Sequence, residues 1–285
     1  MSTKITDKAL EADWLGLCRR SAERLEAVFT EFPSTAERKV RTGLGAGGDQ
    51  TLVIDEGAED VVFAELDRLH AEGHEFTAIA EERGVVAYGG GESQVRVVID
   101  PIDGSLNAKR LLPTFALSVA VASGDAMEDV ELAYVYDFGA GEEFVARSGK
   151  GATLDGEPLR AEPPVSERPL ELVGVEAAKP ELMGPVAESL AGEVYRLRVI
   201  GSLAISLCYL AAARFDGMLG LRPARSVDVA AGQLIAREAG ASLVFEDRRL
   251  DAAGLGLDER YQVAGASTAP GLQILLAAQR QVSEQ

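Results

Sequence analysis

VVIDPIDGSLNAKR, residues 97–110, decides how this chain is read. Its opening is apolar and β-branched, as a buried strand requires, and it ends on two aspartates, Asp100 and Asp103. Pro101 fixes its own φ and has no N–H to donate, and Gly104 permits dihedrals that other residues avoid. Such a strand end can turn both carboxylates and the Ile102 carbonyl toward one point, an oxygen set that suits a hard cation such as Mg²⁺. The Gly104 and Ser105 amides are then available to a phosphate, helped if residues 106–110 open a helix. Taken alone, the stretch is equally consistent with a plain turn, because Asp-Pro and Asp-Gly are common turn pairs.

Three further acidic positions resemble it. Glu81 and Glu82 close the strand-like FTAIAEER, Asp228 stands in SVDVAAGQLIAREAG, and Asp55 stands in TLVIDEGAED. Singly, each is accounted for by a solvated strand end or a helix N-cap. Together, each follows an apolar strand and is expected to meet the others along one edge. Like charges repel and burial penalises each of them, and bound cations relieve both costs.

The rest of the chain sets the frame. It has 285 residues, 47% of them hydrophobic, enough for a sizeable core in one large domain or two coupled ones. With 28 basic and 46 acidic side chains the net charge is −18, which disfavours nucleic acid and anionic membranes as partners. The same field repels a phosphorylated substrate unless a local positive centre, such as a cation, overrides it. Cys18 and Cys208 lie in apolar helical patterns and read as core thiols of a reducing compartment. MSTKITDKALEADW is charged and has no apolar leader segment, so a cytoplasmic protein is expected.

Helical periodicity covers residues 6–31 and ends at Phe32-Pro33. A glycine-rich stretch, GLGAGGDQ, precedes a segment that starts extended and turns helical, with Val61, Val62, Leu66 and Leu69 on its apolar face. Strands are expected at 76–83, 94–100, 115–123 and 130–138, then strands joined at Asp155-Gly156. The Pro-rich AEPPVSERP, residues 161–169, marks a candidate boundary. It gives a first half, 1–160, carrying most of the acidic ligands, and a second, 161–285, supplying Asp228 and substrate contacts. In the second half strands and helices alternate, and residues 226–240 are expected as a strand end feeding a helix. His70 and His74 lie on a polar helix end and suggest no catalytic role.

The ordered set of motifs resembles the inositol monophosphatase-like superfamily of Mg²⁺-dependent phosphatases, nearest its archaeal and bacterial branch with fructose-1,6-bisphosphatase and inositol monophosphatase activity. DPIDGSLN is similar to the family's D-P-[LI]-D-G-[ST]-x-N signature. AEERG resembles its paired-glutamate element, and SVDVAAGQLIAREAGA its W-D-x-A-A-G element. GAGGDQTLVIDEGAED and GSLAISLCYLAAARFDGMLGLR resemble the two remaining segments. The resemblance implies an α+β fold, the layered αβαβα sandwich, and two or three Mg²⁺ ions per site, with Mn²⁺ a substitute. Glu81, Asp100 and the Ile102 carbonyl would hold one ion, Asp100, Asp103 and Asp228 a second, and Glu81 with Asp55 a weaker third. Ser105 and Asp55 would orient and deprotonate the attacking water, and the Gly104 and Ser105 amides would bind the phosphate. The family also implies a homodimer.

Three departures from the family pattern matter. Val227 replaces a tryptophan, and Ser105 replaces a threonine while keeping the hydroxyl. Leu221 stands where inositol-specific members carry a glutamate, and Arg222 follows it. Arginine suits a second phosphate through bidentate contacts, so Arg198, Arg222, Arg225, Lys109 and Arg110 are candidates. The expected substrate is fructose 1,6-bisphosphate or inositol 1-phosphate. The alternatives are 3′-phosphoadenosine 5′-phosphate, histidinol phosphate, or a non-enzymatic role in an RNA or transcription complex.

Overall fold

The structure is a computed structural model that describes residues 8–44, 46, 50–90, 93–163, 168–245 and 248–283. Parts of the glycine-rich stretch, of the turn at 89–93 and of the Pro-rich segment lie outside the described residues.

The helix expected at 6–31 is a short 3₁₀ turn, Lys8–Glu11, followed by α1, Trp14–Glu31. Asp13 starts α1 by accepting from the Gly16 N–H, which satisfies one of the helix's unpaired donors. A helical turn, α2 (Thr35–Arg38), and a small ribbon, β1 (Arg41–Leu44) with β2 (Gln50–Leu52), lead into α3, Val53–Ala71. Arg38 is buried, and its guanidinium donates to the carbonyls of Phe29, Phe32 and Ala108. It thereby joins the end of α1 to the segment that carries the Asp-Gly-Ser turn.

Eight strands follow in the order β10-β9-β8-β7-β6-β5-β3-β4. They are β3 (Phe76–Ala80), β4 (Gly84–Tyr88), β5 (Arg96–Asp103), β6 (Ala116–Ala122), β7 (Val130–Asp137), β8 (Glu142–Arg147), β9 (Gly151–Leu154) and β10 (Glu157–Pro158), with the short helix α4 (Ser105–Lys109) after β5. Pairing is antiparallel except between β3 and β5. The second sheet has the order β12-β11-β13-β17-β15. Its strands are β11 (Leu170–Glu176), β12 (Val194–Arg198), β13 (Gly217–Gly220), β15 (Ser242–Phe245) and β17 (Val263–Ala266), while β14 (Ala224–Arg225) and β16 (Arg260–Tyr261) form a separate ribbon. The helices of this part are α5 (Pro180–Ser189), α6 (Leu203–Ala211), α7 (Ser226–Glu238) and α8 (Ala269–Ser283).

Three apolar cores separate these elements into five layers. Alternation along β6 shows how: Leu117, Val119 and Val121 pack with α1 and α3, while Ala116, Ala120 and Ala122 face α6 and α7. Small residues on that second face let the helices approach closely. A Cβ on Gly232 would stand 2.8 Å from Leu207 Cδ1, so α6 and α7 touch through glycine. The far side of the α6/α7 layer meets the second sheet, whose outer face packs α5 and α8 around Leu170, Val175, Leu219 and Leu275. The order α, β, α, β, α is the layered sandwich expected from the sequence. It also explains why SLAISLCYLAA shows no polar stripe: α6 is buried between two sheets.

Candidate active site

Asp100 and Asp103 lie within β5, not beyond it. In a regular strand, residues three apart point to opposite faces. Here Asp100 pairs with Ser118 and Asp103 with Ala116, so three steps on β5 oppose two on β6. That extra residue is a bulge, and it restores both aspartates to the same face. Pro101, which cannot donate to a ladder, sits inside the bulge, where the missing bond costs nothing. Asp100 Oδ1 accepts from the Ile102 N–H at 2.9 Å.

Asp55 and Asp228 reach the site differently from the sequence expectation. Ser226–Glu238 is helical throughout, and the strand end is Ala224–Arg225. Both acids occupy the third position of a helix and bend back to its start. Asp55 Oδ2 accepts from Leu52 N–H at 3.1 Å, and Asp228 Oδ2 from Arg225 N–H at 3.0 Å. One oxygen of each is fixed by its own helix, in a place where the helix dipole favours negative charge. Glu81 opens the turn after β3.

One carboxylate oxygen each from Glu81, Asp100 and Asp228 lies within 4.8 Å of the others. Asp55, Asp103, Ile102, Gly104, Ser105 and Arg225 line the same cavity, of about 350 Å³. Asp103 turns one oxygen away from the trio: its Oδ2 accepts from Ser202 Oγ and from the Ala204 N–H, both at 2.6 Å. Burial pushes the Asp100 carboxyl well above the usual range, and neighbouring Asp103, Asp228 and Glu81 push it further. Burial first, then Asp103 and Glu81, raise Asp228 to about 7, while burial raises Asp55 to about 7 and Asp103 to about 6. Arg225 is ion-paired with Glu81, yet neither Asp100 nor Asp228 forms an ion pair among the described residues. A crowded, under-neutralised set of hard oxygens fits divalent cations.

The candidate basic residues separate. Arg222 lines an adjoining cavity of about 310 Å³ with Glu176, Gly201 and Asp228. Arg225 lies in the first cavity against Glu81. Arg198 is on β12, donates to the Leu197 carbonyl and lines neither cavity. Leu221 is buried in the outermost core.

Gly104 holds the turn at φ +93°, a left-handed conformation that costs an L-residue about 1–2 kcal/mol. A Cβ there would stand 2.9 Å from the Thr114 carbonyl oxygen and 3.1 Å from that of Gly201. Gly104→Ala is therefore expected to lower stability by about 2 kcal/mol and to reduce turnover about tenfold by displacing the Ser105 amide. Thermal unfolding and an assay of the variant check both.

Glu176, at the end of β11, was not singled out by sequence reasoning. Its buried carboxylate accepts from Gly201 N–H at 2.9 Å, Ile200 N–H at 3.3 Å and Ser206 Oγ at 2.6 Å. The Ile200 carbonyl in turn accepts from Asn107 Nδ2 at 2.8 Å. The loop that carries Ser202 to Asp103 is thus fastened on both sides. Burial raises the Glu176 carboxyl from 4.5 to about 7. The folded state then holds this proton more tightly than the unfolded chain, so the contribution to stability falls as pH rises through that window. Between about pH 5 and about pH 8, wild type is expected to lose about 2 kcal/mol more stability than Glu176→Gln. Denaturant unfolding at both pH values measures the difference in slope.

The model of the inositol monophosphatase family matches residues 14–283. A fructose-1,6-bisphosphatase/inositol-1-monophosphatase of Thermococcus kodakarensis is 30% identical over 272 residues, which cover 95% of this chain and 99% of that protein. The Nus factor SuhB of Vibrio cholerae is 35% identical, covering 80% of this chain and 83% of its own length. A solved inositol monophosphatase-fructose 1,6 bisphosphatase superposes with a TM-score of 0.78 at 26% identity, over 93% of this chain and 99% of that one.

Proposed function

The chain belongs to the inositol monophosphatase family, and from that premise we infer that it is a phosphatase of sugar or inositol phosphates whose acidic cluster works with bound Mg²⁺. The observation that carries this reading is the β5 bulge. It turns Asp100 and Asp103 to one side, where Asp100 meets Glu81 and Asp228.

Glu81, Asp100, Asp103, Asp228 and the Ile102 carbonyl would hold two Mg²⁺ ions, with Asp55 near a weaker third. Such ions supply Lewis acidity, lowering the pKa of water and neutralising charge on the leaving oxygen. The chain's own groups do the rest. The Gly104 and Ser105 amides receive the phosphate at the start of α4. Ser105 and Asp55 orient the attacking water, and Asp55, one of whose oxygens is held by the Leu52 N–H, accepts its proton with the other. Water oxygen bonds to phosphorus as the phosphorus–ester oxygen bond breaks, and the departing alcohol takes up a proton. Ser105→Ala is expected to lower kcat about 100-fold and leave magnesium affinity unchanged, as activity against magnesium concentration will show.

Fructose 1,6-bisphosphate is the first substrate and inositol 1-phosphate the second. Arg222, in the adjoining cavity, supports the bisphosphate, because a guanidinium there can take a second phosphate. Leu221, buried, offers no carboxylate to inositol hydroxyls. Phosphate release from both, beside 3′-phosphoadenosine 5′-phosphate and histidinol phosphate, tests the assignment. Arg222→Leu is expected to raise KM for the bisphosphate and spare inositol 1-phosphate. A nucleotide or histidinol phosphate as best substrate contradicts the choice. A cytoplasmic homodimer completes the reading, and no helix among the described residues is long and apolar enough to cross a membrane.

A further inference from the structure

Glu59 lies one helical turn after Asp55 on α3 and is 1% exposed. Both of its carboxylate oxygens are taken up by main chain in the turn after β3. Oε1 accepts from the Glu82 N–H at 2.9 Å and Oε2 from the Arg83 N–H at 3.1 Å. Arg83 closes over this contact. Its Nε is 3.7 Å from Glu59 Oε2, its guanidinium pairs with Asp60, and it stacks 4.4 Å from the centre of the Phe63 ring. From the other side, the Ala46 N–H donates to the Glu82 carbonyl at 2.9 Å.

A buried carboxylate carries a desolvation penalty, and the hairpin does not need it for register. Five consecutive pairs between β3 and β4, from Phe76↔Tyr88 to Ala80↔Gly84, already fix that. What the carboxylate adds is the orientation of the peptide units next to Glu81, the residue whose side chain reaches toward Asp100 and Asp228.

We propose that Glu59 is a positioning residue of the cation site. By holding the amides of residues 82 and 83 it aims Glu81 at Asp100 and Asp228. Because Asp55 and Glu59 share one helix, α3 sets the places of Asp55 and Glu81 together. The inference rests on the reading of Glu81 as a cation ligand.

Calorimetric titration of the full chain with Mn²⁺ tests it, using wild type, Glu59→Gln, Glu81→Gln and Asp60→Asn, with thermal unfolding in chelator alongside. Glutamine at 59 keeps the size but presents an amide donor to a backbone donor. The expected result is Mn²⁺ binding weakened about tenfold or more in Glu59→Gln, with kcat recovering at saturating metal. Glu81→Gln weakens binding at least as much, and Asp60→Asn, which removes a charge beside the same arginine, leaves it unchanged. Wild-type affinity in Glu59→Gln beside weakened Glu81→Gln overturns the proposal. Equal weakening in Asp60→Asn also overturns it, by assigning the effect to local charge. Wild-type affinity in Glu81→Gln removes the underlying reading instead. If Glu59→Gln does not fold, Glu59→Asp, too short to reach both amides, carries the same comparison.

Discussion

Asp228→Asn is expected to lower phosphate release by about 10³-fold or more while leaving the fold intact, and even stabilising it when divalent cations are removed. The two effects have one cause. Asp228 uses one oxygen to accept from the Arg225 N–H at the start of α7, a bond that an asparagine oxygen reproduces. What the substitution removes is negative charge in a half-buried place beside Asp103 and Glu81, where desolvation and like charges already raise the Asp228 carboxyl to about 7. Without cations that charge opposes folding, so its loss does not harm the folded state. With cations it would be a ligand, and its loss is expected to remove several kcal/mol of transition-state stabilisation, at about 1.4 kcal/mol per tenfold in rate. Thermal unfolding in chelator and a phosphate assay in magnesium measure the two sides. Near-wild-type turnover by the variant would contradict the role given to Asp228.

The second large effect is that of the cation on stability. At a concentration about 100 times its dissociation constant, a ligand that binds only the folded state contributes about 2.7 kcal/mol. For a chain of this size that is a rise in Tm of about 4–5 °C. The pH dependence follows from the direction of the shifts. Asp100, Asp103 and Asp228 all titrate higher in the fold than in the unfolded chain. The folded state without cations therefore binds more protons, and its stability falls as pH rises from about 5 toward 8. A cation replaces those protons, so its stabilising effect is larger at about pH 8 than at about pH 5.5. Unfolding scans in chelator and in magnesium at both pH values check the sign. An equal Tm shift at both would mean that the cation binds elsewhere.

Much of this site was legible because its chemistry is local in the chain. DPIDGS puts two acids, a carbonyl and two amides within six residues, and residue identity alone announces them. The bulge that makes Asp100 and Asp103 face the same way was not legible. It depends on which residues of β6 lie opposite, a property of pairing rather than of either strand. Asp55 and Asp228 were read as residues following strands, because an apolar run before an acid has the same pattern in a strand end and in the first turn of a buried helix. Glu59 and Glu176 escaped notice for another reason. Their partners are backbone amides of Glu82, Arg83, Ile200 and Gly201, and an amide leaves no trace in the residue alphabet. Arg198 was legible only as a charge, and the fold sets it on β12, which lines neither cavity. The five layers were foreseen through the family resemblance. Within them, the small residues of β6 that face α6 and α7 are the local reason the central layer packs so closely.

The most direct test strips the protein with chelator, assays fructose 1,6-bisphosphate, and then adds Mg²⁺ back to wild type and to Asp228→Asn. The account predicts no release from stripped protein, recovery of wild type with rising Mg²⁺, and no recovery of the variant. Release that persists in chelator, or that Asp228→Asn regains in full, would contradict the claim that the carboxylates gathered at the β5 bulge form the cation site of a phosphatase.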